Sequence, residues 1–459
     1  SAASDVYKRQ VVNWAGERMN YSVLHTYEAS VTTVENPYNF EQQQLFDMAL
    51  RINKKRRFLF VSKILGKHLA VDPAIPLLTS HLLSYRFMAA RFARSDEFAE
   101  QVSKAIQTKH MLQEVLAASR VQKVVPPIPL TIIGFAETAT ALGHGFFEKF
   151  AGDVQFVHTT REHLVDVAPV ICFEEEHSHA SSHRVYADES IFLRQAEVVL
   201  VDDEMTTGKT NGNIIRQLHE TYPHLTSFTL VTILDFRTDA AREAMQQIAD
   251  ELGITIQCVS LFTGAFQIEE TGELFTETTP IETETNFTMQ EYGFEALLQD
   301  ALMKAPSYSE GQHVTHANYY RDSGRFALTV DRQQQLDRHV VQMAEALQKK
   351  RSSGPCLVLG TGEFMYVPMS IAAQMGDEVY AHATTRSPIY AHEQSLIYNK
   401  LTFKSAEFPG VTNFLYNIPT NTYTDIFIIF ERILDREAAE QLAAKLQVFG
   451  QTIHVVTLG

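Results

Sequence analysis

Apolar segments that alternate with helical patterns constrain this fold more than any other feature of the sequence. The alternation occurs in two series along the chain. The later series begins with a helical pattern at 332–350 and continues with PCLVLGTGEF, DEVYAHATTR, TDIFIIFE and TIHVVTL. Alternation of this kind is typical of a parallel sheet with crossover helices. The sequence therefore predicts an α/β protein, with a Rossmann-like parallel-sheet domain followed by a second, smaller α/β domain. The strands predicted for the first domain are LTIIGF (130–135), DVQFVHTT (153–160), APVICFEEE (168–176), EVVLVDDE (197–204) and SFTLVTILDF (227–236).

The length of 459 residues is too great for one ordinary core, so more than one domain is expected. Residues 39–52 (NFEQQQLFDMALRI) are predicted to form an amphipathic helix capped by Asn39. The opening SAASDVYKRQ resembles translated adapter sequence. The expected division is 1–35 as an uncertain N-terminal segment, 36–265 as the first domain, 266–325 as an irregular linker rich in Thr and Glu, and 326–459 as the second domain.

Charge and cysteine content exclude several classes of protein. The net charge of −16 argues against a general nucleic-acid or anionic-membrane binder, and no apolar run approaches the length that crosses a bilayer. The three cysteines, Cys172, Cys258 and Cys356, lie far apart in the sequence. This spacing excludes a disulfide framework and a Cys-based zinc site, and it fits a reducing cytoplasm.

The segment VVLVDDEMTTGKT (198–210) indicates a sugar-phosphate site. Four apolar residues run into Asp202, Asp203 and Glu204, and a hydroxyl-rich turn follows. GKT also ends the P-loop pattern, but the first glycine of that pattern would fall at Asp203, so the P-loop is excluded. A small, hydroxyl-rich turn that opens a helix can bind a phosphate, and carboxylates ahead of it can accept hydrogen bonds from a vicinal diol. The alternative, in which polar residues merely end a strand, fits the full pattern less well.

This segment resembles the 5-phosphoribosyl 1-pyrophosphate signature of type I phosphoribosyltransferases. The resemblance implies that Asp202 and Asp203 hold the 2- and 3-hydroxyls of the ribose. It also implies that the 5-phosphate is bound by the turn Thr206, Thr207, Gly208, Lys209 and Thr210.

Two further loops extend the resemblance to the pyrophosphate side of the ligand. GFAETATALG (134–143) follows a strand at the place where these enzymes keep their pyrophosphate loop, so Gly134, Glu137 and Thr138 are expected at the ligand. HTTRE follows the next strand, where Arg161 can make a bidentate contact to pyrophosphate oxygens.

The histidine-rich segment FEEEHSHASSHRVY (173–186) stands where the family carries a mobile loop that closes over the ligand. We expect His177, His179, His183 and Arg184 to meet pyrophosphate oxygens when such a loop closes. A zinc site is one alternative, because H-x-H can bind metal, and a solvated loop is another. No further ligand cluster accompanies the histidines, so the pyrophosphate interpretation is preferred.

The full set of motifs, which includes FLFVSKILGKHL (58–69) and LDFR (234–237), is similar to a narrower family. That family is the phosphoribosyltransferase of tellurite-resistance-associated gene clusters, whose enzyme domain is followed by a domain named for a T-R-S-P motif. The motif is present here at Thr385–Pro388, and the resemblance covers about residues 36 to 459. It implies a cytoplasmic enzyme in the biosynthesis of a nucleoside-like metabolite. Phe236 stands where the family is expected to carry Trp, and the resemblance adds Lys63, Lys67 and Asp235 to the substrate-binding residues.

The resemblance implies a Mg²⁺-dependent transfer of ribose 5-phosphate from phosphoribosyl pyrophosphate to a base-like acceptor, with release of pyrophosphate. The metal would be held mainly through the ligand, with Asp202 and Asp203 as candidate protein ligands. Glu204 or Glu137 can deprotonate the acceptor, and the sequence does not choose between them. The rival function is a non-catalytic sensor of phosphoribosyl pyrophosphate. The histidine segment and Arg161 favour turnover, because a sensor needs no loop to shield an oxocarbenium ion.

The two halves of the chain share a motif order. IIGFAET is followed by VHTTRE in the first half, and VLGTGEF by HATTRS in the second. EVVLVDDEMTTGKT aligns with TDIFIIFERILDRE, which keeps Glu431 but loses both aspartates and the phosphate turn. We hypothesise an internal duplication with a degenerate second copy, which would pack as an intrachain pseudo-dimer. The alternative to duplication is convergence of two β-turn-α units. The alternative to an intrachain pseudo-dimer is a homodimer. The candidate residues of the second copy are Gly360, Gly362, Glu363, Thr385 and Arg386.

Overall fold

The computed structural model describes residues 16–24, 26–52, 57–174, 182–272, 289–308 and 314–459, so His177 and His179 lie outside the described residues. We call the part up to Glu270 the first half and the part from Met289 the second half. The first half consists, in chain order, of β1 (Arg18–Val23), β2 (Tyr27–Glu35), α1 (Gln42–Leu45), β3 (Phe46–Leu50), β4 (Phe58–Ser62), α2 (Ala74–Phe92), α3 (Phe98–Thr108), α4 (Leu112–Val121), β5 (Leu130–Gly134), α5 (Ala139–Glu148), β6 (Val154–His158), β7 (His163–Leu164), β8 (Ile171–Glu174), β9 (Ser182–Val185), α6 (Ser190–Leu193), β10 (Glu197–Met205), α7 (Lys209–Thr221), β11 (Ser227–Asp235), α8 (Asp239–Leu252) and β12 (Thr255–Glu270).

The second half continues the alternation of strands and helices. Within the described ranges, no helix of either half is long and apolar enough to cross a membrane. The elements of the second half are β13 (Met289–Gly293), α9 (Glu295–Leu298), β14 (Leu302–Tyr308), β15 (Val314–Tyr320), β16 (Leu328–Thr329), α10 (Val330–Gln348), β17 (Cys356–Gly360), α11 (Tyr366–Ala372), β18 (Val379–Ala383), β19 (Lys400–Lys404), β20 (Thr412–Tyr416), β21 (Tyr423–Phe430), α12 (Arg436–Leu446) and β22 (Gly450–Thr457).

The first sheet has the strand order β1-β2-β12-β11-β10-β5-β6-β16. Its central strands, from β12 to β6, run parallel to one another, and antiparallel strands flank them on both sides. Strand β5 is buried over its whole length, as a central parallel strand must be. The predicted parallel sheet is therefore confirmed for the segments at 130–135, 153–160, 197–204 and 227–236.

The segment at 168–176 departs from this prediction, because its strand does not enter the parallel sheet. Strand β8 instead forms an antiparallel hairpin with β9, in which Ile171 lies opposite Val185. The segment ends in three consecutive glutamates. A central parallel strand is buried on both faces, and it cannot accommodate a run of unpaired carboxylates.

The helix predicted for residues 39–52 is wrong in its extent. The helix α1 is a single turn, with Glu41 rather than Asn39 before it, and the chain then forms β3. Strand β3 pairs with β4 in an antiparallel ladder that places Phe46 opposite Ser62 and Leu50 opposite Phe58. Tertiary pairing thus overrides the helical propensity of QQQLFDMAL.

The second sheet has the order β13-β22-β21-β17-β18, and all of its strands are parallel. Strand β13 comes from the segment 266–325, which was predicted to be an irregular linker. The same segment forms the hairpin of β14 with β15, and β14 pairs with β7 of the first half. The ladders of β13 with β22 and of β14 with β7 join segments that are distant in sequence, so local patterns do not reveal them. The domain boundaries stay predictions.

The two halves share one strand order, as the duplication hypothesis requires. β11-β10-β5-β6 in the first sheet corresponds to β22-β21-β17-β18 in the second. A hairpin precedes the third strand in each half, β8–β9 in one and β19–β20 in the other. Gly134 lies opposite Val201, and Gly360 lies opposite Ile429. This register corrects the alignment made from sequence, since Glu431 takes the position of Asp203 rather than that of Glu204.

The halves pack through the helices that follow their corresponding first strands. The ring of His144 on α5 stacks on that of Tyr366 on α11, with the centroids 3.6 Å apart. The hydroxyl of Tyr366 also donates a hydrogen bond of 2.9 Å to Glu148. One apolar core extends through both sheets. The loops after β5 and β17 therefore meet at a common interface.

Candidate functional site

A cavity of about 330 Å³ lies at the carboxyl ends of β5, β6 and β10. This edge is where parallel α/β sheets bind their ligands. Side chains from both halves of the chain form its wall. The lining residues are Arg51, Leu59, Phe60, His68, Phe135, Ala136, Glu137, Thr138, Arg161, His183, Asp202, Asp203, Glu204, Met205, Thr206, Thr207, Gly208, Lys209, Thr210, Asn211, Thr385, Arg386 and Ser387.

An acidic group forms one part of the wall, at the end of β10. The apolar start of this strand is fully buried, whereas Asp202, Asp203 and Glu204 are partly buried at the cavity. Burial raises the pKa of Asp202 well above its ordinary value of 3.8, and repulsion from Asp203 raises it further. Burial and repulsion from Glu204 raise the pKa of Asp203 to about 6. The pair is therefore poised to receive hydroxyl donors or a cation.

The turn from Thr206 to Thr210 leads directly into the first turn of α7. Gly208 precedes the helix with a φ of +72°, a conformation that L side chains rarely adopt. A Cβ at this position would also lie 3.1 Å from Met245 Cε. The backbone N–H groups of a helix N-terminus and the positive end of the helix dipole make such a turn suitable for a phosphate.

The loop after β5 approaches the cavity closely. A Cβ on Gly134 would lie 2.7 Å from the carbonyl oxygen of Ala139, so only glycine fits there. The Ala136–Glu137 peptide is cis, and Ala136 N–H donates to Thr159 Oγ1. Glu137 forms a buried salt bridge with Lys67. Burial alone would raise the pKa of Glu137, but the charges of Lys67 and Arg161 hold that pKa below its ordinary value.

The turn after β6 and the second strand of the β8–β9 hairpin complete this side of the cavity. Arg161 lines the cavity, and its backbone N–H donates to Glu363 at 2.9 Å. His183 is buried, with Nδ1 2.9 Å from Thr159 Oγ1 and its ring stacked on Phe173. Across the described ranges, no group of three His, Cys, Asp or Glu residues could hold a metal ion.

Two family models match the chain. The first, described as phosphoribosyl transferase, matches residues 45–265, and the second, the TRSP domain C-terminal to that transferase, matches residues 322–446. The chain belongs to this phosphoribosyl transferase family. The family is one of phosphoribosyl transferases, which are pentosyltransferases. The two matched ranges are called the transferase domain and the TRSP domain below.

Several solved structures are similar to the chain. Adenine phosphoribosyltransferase from Trypanosoma brucei, in complex with AMP, pyrophosphate and ribose-5-phosphate, is 16% identical, with 34% of this chain and 67% of that chain covered and a TM-score of 0.24. The adenine phosphoribosyltransferase from Leishmania tarentolae is 20% identical, with 32% of this chain and 70% of that chain covered and a TM-score of 0.22. A hypoxanthine phosphoribosyltransferase from Staphylococcus aureus is 13% identical, with 38% of this chain and 72% of that chain covered and a TM-score of 0.20. The search of curated proteins found no match.

Several predicted site residues of the transferase domain do not line the cavity. Lys63 pairs with Asp47 at 3.2 Å, in a partly exposed position. Lys67 is buried behind Glu137. Asp235 pairs with Arg237 and Arg242, and Arg237 Cδ would lie 3.4 Å from a Cβ on Gly208. Asp235 therefore holds the arginine that packs against the turn at Gly208, and it is not part of the cavity wall.

Four residues that line the cavity were not predicted from the sequence as site residues. Arg51, Leu59, Phe60 and His68 come from β3, β4 and the segment after β4. Phe60 stacks on Phe236 with the ring centroids 4.3 Å apart. Phe236, which stands in place of the expected Trp, is thus buried behind the wall of the cavity. Because β3 was predicted as a helix, the sequence could not place this wall.

Buried charges fill the place in the TRSP domain that corresponds to the acidic end of β10. Glu431 occupies the position of Asp203, and both of its oxygens accept hydrogen bonds of 2.7 Å from Arg325. Arg325 also pairs with Glu162 at 3.0 Å, and Arg432 pairs with the same carboxylate at 2.8 Å. All four side chains are almost fully buried. Protein charges therefore take the place where a ligand would meet Glu431.

Proposed function

We propose that the chain transfers the 5-phosphoribosyl group from phosphoribosyl pyrophosphate to a nitrogenous, base-like acceptor and releases pyrophosphate. The observation that carries this proposal is the convergence on one cavity of three groups. These are the adjacent aspartates, the turn that opens α7, and the loop after β5 with Arg161. A cytoplasmic location in the biosynthesis of a nucleoside-like metabolite is part of the proposal. Cysteine usage and the family resemblance support that location.

Each of these three groups suits one part of the donor. The 5-phosphate would lie at the turn from Thr206 to Thr210, where backbone N–H groups and hydroxyls can donate. The ribose diol would donate to Asp202 and Asp203, which follow the same strand. Pyrophosphate would then extend toward the loop after β5 and Arg161, whose guanidinium is suited to bidentate contact with phosphate oxygens.

The donor set at the aspartates fits Mg²⁺. Asp202 and Asp203 offer hard carboxylate oxygens, and burial together with repulsion between neighbouring carboxylates raises their pKa values. These two residues would hold the ion together with the ligand's own oxygens. When bound, Mg²⁺ supplies positive charge that favours departure of the pyrophosphate. The carboxylates would also stabilise the positive charge that develops on the ribose ring as the bond from C1 to pyrophosphate oxygen breaks.

The transfer exchanges one bond at C1 for another. The acceptor nitrogen forms a bond to C1 as the C1–O bond to pyrophosphate breaks, and the acceptor loses one proton. Glu137 is a poor base for that proton, because its lowered pKa and its salt bridge to Lys67 favour the bound carboxylate. Glu204 lines the same cavity and is therefore the better candidate.

A panel of nitrogenous acceptors tests the proposal. Purified protein, phosphoribosyl pyrophosphate and Mg²⁺ are mixed with each acceptor, and pyrophosphate release is followed with time. We expect release that depends on one class of acceptor and yields the matching phosphoribosyl product by mass spectrometry. Tight binding of the donor with no product from any acceptor would favour the sensor instead.

A further inference from the structure

The T-R-S-P turn of the TRSP domain forms part of the transferase cavity. Thr385, Arg386 and Ser387 line it together with Ala136, Glu137 and Thr138 of the loop after β5. Two halves of one chain therefore enclose one site.

The turn is held by hydrogen bonds within the TRSP domain and by one hydrogen bond to the transferase domain. The hydroxyl of Tyr416 donates to Ser387 O at 2.8 Å, and Ile52 N–H donates to Pro388 O at 2.9 Å. Thr385 pairs with Phe414 through two backbone hydrogen bonds. A side chain carried by this turn is therefore positioned before any ligand binds.

The two related turns are used differently. At the turn after β6, the carboxylate of Glu363 accepts hydrogen bonds from Arg161 N–H and the Thr160 hydroxyl. Glu137 is the counterpart of Glu363, but it pairs with Lys67 and does not reach the T-R-S-P turn in the same way. Among the residues with described positions, none accepts a hydrogen bond from Arg386 N–H. The charge of Arg386 acts on Glu137, but among the described residues no carboxylate takes the place at the T-R-S-P turn that Glu363 takes at the turn after β6.

The charge balance at this end of the cavity is positive. Glu137 is already paired with Lys67, while Arg161 and Arg386 line the same wall. The guanidinium of Arg386 also rests on the ring of Phe408, with Cζ 4.4 Å from the ring centroid. This contact orients its planar face and leaves its edge for bidentate hydrogen bonds.

We propose that Arg386, with its backbone N–H, binds the pyrophosphate group of the donor from across the domain interface. This inference rests on the proposed function and extends it, because it makes the transferase domain incomplete without the TRSP domain. The hydroxyl of Thr385, which accepts a hydrogen bond from Ser387 N–H, can donate its own proton to the same group.

Calorimetric titration of three probes, each with Mg²⁺, tests the role of Arg386. The probes are inorganic pyrophosphate, phosphoribosyl pyrophosphate and ribose 5-phosphate. Arg386→Ala is expected to weaken binding of the first two by about 10- to 100-fold, the range for a charge-assisted bidentate contact. It should change ribose 5-phosphate affinity less than about twofold. Arg386→Lys should lie between, since it keeps the charge but loses the fork. Arg436→Ala, an exposed position of the same domain, should behave as wild type.

The outcomes separate this inference from the function on which it rests. If wild type binds none of the probes, the proposed function fails. If wild type binds pyrophosphate and Arg386→Ala binds it equally well, the role of Arg386 is wrong. The role of Arg386 would also be wrong if Arg386→Ala weakened ribose 5-phosphate binding as much as it weakened pyrophosphate binding. In the transfer assay, a change confined to the KM of the acceptor would contradict it as well. Unchanged melting temperatures of the variants would exclude a general loss of folding.

Discussion

Replacing Asp202 and Asp203 together with asparagine is expected to reduce phosphoribosyl transfer by about 10³-fold or more. The amides can still contact hydroxyls, but they cannot stabilise positive charge on the ribose ring or help to hold Mg²⁺. The measurement is the initial rate of pyrophosphate release with the acceptor that wild type prefers. A double variant that retains more than a tenth of the wild-type rate would contradict the role given to the pair.

The same variant is expected to be more stable than wild type without ligand, which distinguishes loss of chemistry from loss of folding. Both carboxyl groups have a pKa above the ordinary value of 3.8 in the folded protein. The folded state thus binds more protons than the unfolded state, and stability falls as pH rises from about 4 through about 6 and beyond. Asparagine has no proton to lose in this pH range, so the double variant does not lose stability in this way. We expect about 1–3 kcal/mol more stability at pH 7.5 and little difference at pH 4. Denaturant unfolding at both pH values measures it.

Replacing Arg325 with methionine is expected to lower the free energy of unfolding by about 3–5 kcal/mol. The reason is that the variant leaves Glu431 and Glu162 buried with one cation, Arg432, between them. A buried carboxylate that loses its partner keeps the cost of desolvation without the compensating attraction. Urea unfolding, followed by tyrosine fluorescence and by circular dichroism, gives the change.

The matched control is Arg436→Met, which removes an arginine from an exposed ion pair. Arg436 contacts Glu291 and Glu440, and its side chain is 69% exposed. Solvent screens such pairs, so the change should stay within about 0.5 kcal/mol. Equal effects of the two variants would mean that the buried network contributes no more than a surface pair.

The sequence predicted the central strands of both sheets because each is an apolar run bounded by helical patterns. Strands β5 and β17 are buried throughout and are recognisable from composition alone. The failures at β3 and β13 have one physical cause, which is that pairing with another strand outweighs the local pattern. Strand β3 was predicted as a helix because its strand character depends on β4, and β13 was missed because it pairs with β22.

The candidate site divides in the same way. The acidic pair, the phosphate turn and Arg161 come from contiguous motifs, and the structure places all of them on one cavity. Arg51, Phe60 and His68 reach that cavity only through the β3–β4 ladder and the segment after it. The comparison of the two halves identified Arg386 as a candidate, but its contact with the transferase cavity depends on how the halves pack. Packing of this kind leaves no local pattern in a single sequence.

Titration of phosphoribosyl pyrophosphate with Mg²⁺ into the wild-type chain, with stoichiometry as the readout, tests most directly whether the segment 198–210 forms a donor site. We predict one site per chain, because Arg325 and Glu431 fill the corresponding place in the TRSP domain. Binding should be weaker in the double asparagine variant, because Mg²⁺ loses its carboxylate ligands. No binding to wild type, two sites per chain, or unchanged affinity in that variant would contradict the assignment.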